Sequence, residues 1–122
     1  MKKVNLDLGK RSYQILIGDG ILSSLAPTLN KLNLGKVAVI VTNPTIKRLY
    51  GSTLARALRG ANCEVKFIQV PDSEQSKSFK HCFNLVGQFA DLDRGRGIFA
   101  LAFGGGVIGD LTGFAAAIYR RG

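Results

Sequence analysis

The 122-residue chain predicts an α/β fold: a parallel sheet with flanking helices, preceded by an N-terminal β-hairpin. Three observations predict it. The first 17 residues alternate apolar and polar side chains around a glycine turn. Beyond them, strand-like apolar runs take turns with segments of helical periodicity, the pattern of βα units on a parallel sheet. Two of those runs, Val37 to Thr42 and Ile98 to Phe103, are almost continuously apolar, as strands covered on both faces are.

Taken in order, Val4, Leu6 and Leu8 alternate with polar residues, Gly9-Lys10-Arg11-Ser12 turns, and Tyr13, Ile15 and Ile17 alternate again. That is a hairpin. Ile21 to Leu32 has helical spacing, with Pro27 either in the first turn of a short helix or kinking a longer one. After the strand at Val37 to Thr42, Asn43-Pro44-Thr45 opens a helix with Ile46, Leu49, Tyr50, Leu54, Ala57 and Leu58 expected on one face, ended by Gly60. Glu64 to Val70 is the next strand and Pro71-Asp72-Ser73-Glu74 a loop. A helix follows with Phe79, Cys82, Phe83, Val86 and Phe89 expected inward. Asp91 to Gly97 reads as a polar connector, Ile98 to Phe103 as a buried last strand. In such sheets ligands bind beyond the carboxyl ends of the strands. The loops that matter are therefore Thr42 to Thr45, Pro71 to Lys77 and Gly104 to Asp110.

The length fits one domain able to bury a core without disulfides. No apolar run approaches the about 18 residues of a membrane span, and the basic N-terminus lacks the apolar stretch of a signal peptide. The expected compartment is the cytoplasm, with no membrane partner. Cys63 and Cys82 have no spacing that suggests a disulfide framework or zinc site. The net charge of +9 reads either as an uneven surface or as attraction of anions. The basic residues are scattered, without aromatic interleaving, so phosphorylated metabolites and dinucleotides suit them better than nucleic acid.

Gly104, Gly106 and Gly109 satisfy a G-x-G-x-x-G pattern between a strand and a helix, an arrangement that offers backbone amides and a helix N-terminus to phosphate. The alternative is a tight turn with close helix–strand packing. Three adjacent glycines exceed what one turn needs, which points to a pyrophosphate approaching closely. Asp110, expected in the first helical turn, either complements the helix dipole or accepts from a hydroxyl. An aspartate beside pyrophosphate repels it unless a metal or a lysine intervenes. Glu74 and Lys77 form either a solvated first turn or a ribose acceptor with a positive charge beside it. Asn43 bonds an adenine edge or ribose, or caps its helix. His81 reads as a surface residue. No nucleophile–base pair and no metal-ligand spacing is present, so catalytic residues stay unassigned.

Together the three loops are more specific than any one. Gly-Gly-Gly-Val-Ile-Gly-Asp-Leu-Thr-Gly-Phe-Ala-Ala-Ala at 104–117, continuing through Tyr119 and Arg121-Gly122, resembles the signature of the 3-dehydroquinate synthases. Pro71-Asp72-Ser73-Glu74-Gln75-Ser76-Lys77-Ser78 resembles that family's second loop, with Ser73 in place of its usual glycine. Val41-Thr42-Asn43 and the hairpin also fit. The resemblance implies a Rossmann-like fold and NAD contacts at Asn43, Glu74, Lys77, Gly105, Gly106, Val107 and Asp110. It implies a synthase that converts 3-deoxy-D-arabino-heptulosonate 7-phosphate, a phosphorylated seven-carbon sugar acid, to 3-dehydroquinate and phosphate in the shikimate pathway. The enzyme would use transient NAD oxidation and a divalent metal, zinc or cobalt, and would be a homodimer when full length. Residues 1–122 would then be an incomplete NAD-binding domain. The helical C-terminal domain, with the metal ligands, would lie beyond Gly122, and the piece would be inactive alone. The rival expectations are another sugar phosphate cyclase, a glycerol-type dehydrogenase, or a stand-alone nucleotide- or anion-binding module. If position 73 required a positive φ, serine there would add strain.

Overall fold

A computed structural model describes residues 1–122. Two strands, β1 (Lys2–Leu6) and β2 (Tyr13–Ile17), pair antiparallel with Val4 opposite Ile15 and Leu6 opposite Tyr13. They form a two-stranded sheet of their own, separate from the main one. The turn between them is held by Ser12, whose hydroxyl donates to the Gly9 carbonyl at 2.7 Å. Then come α1 (Leu25–Leu32), β3 (Val37–Thr42), α2 (Pro44–Ala57), β4 (Glu64–Gln69), α3 (Phe79–Asp93), β5 (Ile98–Ala102) and α4 (Gly106–Ile118). Pro27 sits in the first turn of α1, where a missing N–H costs nothing.

The main sheet is parallel, in the order β4-β3-β5. β3 lies at its centre and all six of its residues are buried. Alternation along β3 divides the core. Val37, Val39 and Val41 face α3 and α4, packing with Cys82, Leu85, Phe89, Ile108 and Leu111. Ile40 faces the other side, with Leu54 and Leu58 and the half-buried Leu25 and Leu29. The helix after β3 therefore covers one face of the sheet, while those after β4 and β5 cover the other. The loops leaving β3 and β5, neighbours in the sheet, diverge to opposite faces. Such a switch point is where open α/β sheets form a crevice at their carboxyl edge.

Several expectations are corrected. Leu49 and Tyr50 are exposed on α2, whose buried positions are Gly51 and Leu54. Phe79 and Phe83 are 71% and 63% exposed and stack on each other with centroids 6.1 Å apart. The inward row of α3 is Cys82, Leu85 and Phe89, and Phe83 lies about 100° off Cys82 around the axis. Phe79, the first residue of α3, stands at the carboxyl edge of the sheet. The residues Asp91 to Asp93 are the last turn of α3 rather than a connector. β5 is only half-buried because it pairs with β3 on one side alone.

Asp93 is buried and its carboxylate is fully engaged. It accepts from the Tyr119 hydroxyl at 2.7 Å, the Arg120 guanidinium at 3.0 Å and the Gly97 amide at 3.0 Å. The Tyr119 hydrogen bond is the largest influence holding this carboxyl below its ordinary range; burial opposes it, and Arg120 and Gly97 assist. This clasp joins α3, the start of β5 and the end of α4 at the edge opposite the crevice.

Candidate nucleotide site

The carboxyl ends of the strands are tied together. The Thr42 hydroxyl donates to the Phe103 carbonyl at 2.7 Å, and the Val70 amide donates to the Thr42 carbonyl at 2.8 Å. Asn43 follows directly and caps α2, its Oδ1 accepting from the Ile46 amide at 2.8 Å. Capping therefore uses its oxygen and leaves the side-chain amide donors.

At the end of β5, Gly104 is required by packing. A Cβ there would lie 2.7 Å from Cγ1 of Ile108. Gly105 and Gly106 are different. Neither has a positive φ, and a Cβ on either would meet no atom of the chain within 4 Å. Nothing internal requires glycine at these two positions. They keep the surface bare in front of α4, whose N-terminus carries no side-chain cap. The first helical hydrogen bond runs from the Gly109 amide to the Gly105 carbonyl at 3.0 Å, leaving the amides of Gly106, Val107 and Ile108 without an intrahelical acceptor. Because α4 begins at Gly106, Asp110 lies in its second turn, not its first.

The second loop is pinned from below. The hydroxyl of buried Ser76 donates to the Pro71 carbonyl at 2.7 Å. Ser73 is extended, at φ −153° and ψ 143°, and its Oγ accepts from the Gln75 amide. The position does not require a positive φ, so serine adds no strain there. Ser78 caps α3 by accepting from the His81 amide at 3.2 Å, and its hydroxyl lies 2.9 Å from Nδ1 of His81. His81 is thus half-buried and tied into a reciprocal cap rather than free on the surface, and the serine–histidine contact serves the helix end.

Lys77 joins this loop to α4. Its Nζ lies 2.8 Å from Oδ2 of Asp110 and 3.4 Å from Oε2 of Glu74. The hydrogen bond to Asp110 is the main reason that the Lys77 ammonium is held above its ordinary pKa; partial burial opposes it and Glu74 assists. The lysine that an aspartate beside a pyrophosphate needs is therefore in place. Beside this trio opens a cavity of about 370 Å³ lined by Lys77, Ser78, Phe79, Cys82, Asp110, Leu111 and Phe114. Glu74, Lys77 and Asp110 form one cluster, with Gly106 and Val107 a turn away on α4 and Gly105 just before it. Asn43 stands apart, at the end of the neighbouring strand. Ser76 and Ser78 lie inside the second-loop motif and Thr42 beside Asn43, but the motifs do not say that these hydroxyls bind Pro71, His81 and Phe103 of the chain itself.

A family description of the 3-dehydroquinate synthase N-terminal region matches residues 67–122. The 3-dehydroquinate synthase of Thermodesulfovibrio yellowstonii is 39% identical over 122 residues, covering 100% of this chain and 34% of that protein. Among solved structures, 2-deoxy-scyllo-inosose synthase complexed with carbaglucose-6-phosphate, NAD+ and Co2+ superposes with a TM-score of 0.84 at 18% identity, over 99% of this chain and 32% of that one. The 2-epi-5-epi-valiolone synthase ValA of Streptomyces hygroscopicus subsp. jinggangensis, with NAD+ and Zn2+ bound, superposes with a TM-score of 0.75 at 29% identity, over 95% of this chain and 32% of that one. The chain thus spans about a third of the length of the curated relatives it matches. Sequence over its whole length and the three strand-end loops agree: the chain is similar throughout to the N-terminal third of 3-dehydroquinate synthases.

Proposed function

We propose that this chain is the NAD-binding part of a 3-dehydroquinate synthase. The whole protein would convert 3-deoxy-D-arabino-heptulosonate 7-phosphate to 3-dehydroquinate and phosphate, as a cytoplasmic homodimer. The observation that carries the reading is the bare Gly105-Gly106 backbone at an uncapped helix N-terminus, one turn from a lysine already paired with Asp110. A pyrophosphate fits there because no side chain occupies the approach and the amides of Gly106, Val107 and Ile108 lack intrahelical acceptors. In this reading the amides at Gly105, Gly106 and Val107 hold the pyrophosphate. The Glu74 carboxylate, 78% exposed, accepts from ribose hydroxyls. Lys77 screens Asp110 from the phosphates and leaves it one oxygen to accept from a neutral hydroxyl. Asn43 donates through its amide nitrogen to a ribose or adenine acceptor. When bound, NAD supplies the hydride chemistry, and these residues orient it.

The zinc or cobalt implied by the resemblance finds no group of three His, Cys, Asp or Glu in this chain that could hold it, and no step is assigned to it. The chain on its own is expected to bind NAD weakly and to release no phosphate from the sugar acid. Calorimetric titration with NAD tests the first point, with saturable binding expected and none at about millimolar NAD overturning the reading. Gly105→Val is the sharper probe. Its Cβ meets nothing in the chain, so the fold should hold, while NAD affinity should fall at least about tenfold.

A further inference from the structure

We infer that Thr42 is a positioning residue of the nucleotide site: its hydroxyl fixes where the Gly104-Gly105-Gly106 turn leaves the sheet. The inference rests on the nucleotide reading of that turn proposed above. Thr42 ends β3 and is fully buried. The Phe103 amide donates to the Val41 carbonyl at 2.9 Å, and there the backbone ladder between β3 and β5 stops: no backbone amide takes the Phe103 carbonyl. The Thr42 hydroxyl takes it instead, at 2.7 Å and across 61 positions of sequence. A side chain thus supplies the last link between the two strands, at the point where their loops diverge to opposite faces of the sheet.

That link stands where position matters. β5 pairs with β3 alone, so no strand on its other side steadies its exit. Beyond Phe103, the next hydrogen bond is at the Gly105 carbonyl, which accepts from the Gly109 amide at 3.0 Å; Gly104 makes none. The bare backbone in front of α4 is therefore hung from the sheet by the Thr42 hydroxyl. Amides that grip a ligand must be held within about 0.5 Å of their working positions. Threonine suits the task, because branching at Cβ leaves few χ1 choices and so aims the hydroxyl stiffly. The other two loops start from the same residue by its backbone. Asn43 follows it in the chain, and the Val70 amide donates to its carbonyl at 2.8 Å. Only the glycine turn depends on the side chain.

Two variants separate positioning from packing. Thr42→Val keeps the volume and removes the donor; Thr42→Ser keeps the donor and removes a buried methyl, so both should lower the melting temperature. NAD affinity, read by calorimetry on the folded chains, should fall about fivefold in Thr42→Val and stay within about twofold of the parent in Thr42→Ser. In the ligand-free chain, NMR order parameters of Gly104 to Gly106 should drop in Thr42→Val alone, while those of Asp72 to Lys77 hold, because the Thr42 carbonyl still meets Val70. Affinity that falls alike in both variants would reduce Thr42 to a packing residue and overturn the inference. So would unchanged affinity in Thr42→Val. A parent chain that binds no NAD overturns the nucleotide reading rather than the tether, which the ligand-free order parameters judge on their own: lost order in the turn supports it, and unchanged order sinks it.

Discussion

Lys77 illustrates how one side chain can tie two elements together at a proposed ligand site. It bridges a loop and a helix through Asp110 and Glu74, yet all three groups remain open to solvent. Exposed pairs of this kind contribute little to stability. Lys77→Met should therefore leave the melting temperature almost unchanged while lowering NAD affinity, because two unscreened carboxylates would then face the phosphates; calorimetry on the folded variant reads both. Thr112 is the opposite case. Its hydroxyl is buried without a hydrogen-bond partner. Thr112→Val keeps the shape and removes the unsatisfied group, so thermal unfolding should show a gain of up to about 1 kcal/mol. Asp93 gives a pH signature. Its folded-state pKa is lowered, so its contribution is fully present above the unfolded carboxyl value of about 3.9 and disappears as pH falls through the lower folded value. Asp93→Asn should be less stable at neutral pH, and the difference from the parent chain should shrink in acid melts below that value.

At the scale of elements, order and type were legible in the sequence, because apolar runs and helical spacing are written locally. Faces were less so. Phe79 and Phe83 have the hydrophobicity of core residues, but the row of α3 that meets the sheet is set by where α4 lies, which no local pattern records. Leu85→Ala should cost about 2–5 kcal/mol in denaturant unfolding, whereas Phe83→Ser should change stability little. The start of α4 was placed late for a related reason: glycines signal a turn, yet Gly106 already belongs to the helix. The site loops were legible because their residues form a motif. Ser76 and Ser78 belong to that motif, but their bonds to Pro71 and His81 were not legible, because a hydroxyl's choice of nearby backbone is set by the folded loop.

At the scale of the molecule, the parallel sheet separates two tasks. One edge carries the Asp93 clasp and the other carries the loops, so changes at the clasp should alter stability while leaving the proposed NAD contacts in place. The hairpin is a sheet apart, most of its side chains exposed, and isolated hairpins are marginal in water. Its removal should leave the helical circular dichroism of α1 to α4 intact.

The complete burial of β3 also governs time. A strand paired on both sides and covered by helices on both faces exchanges its amide protons only when the domain opens as a whole. The slowest-exchanging protons should therefore be those of Val39 to Val41, two residues from Asn43. The anchor of the first loop thus sits on the least yielding part of the chain, and any ligand held there should slow exchange throughout the core rather than in the loop alone.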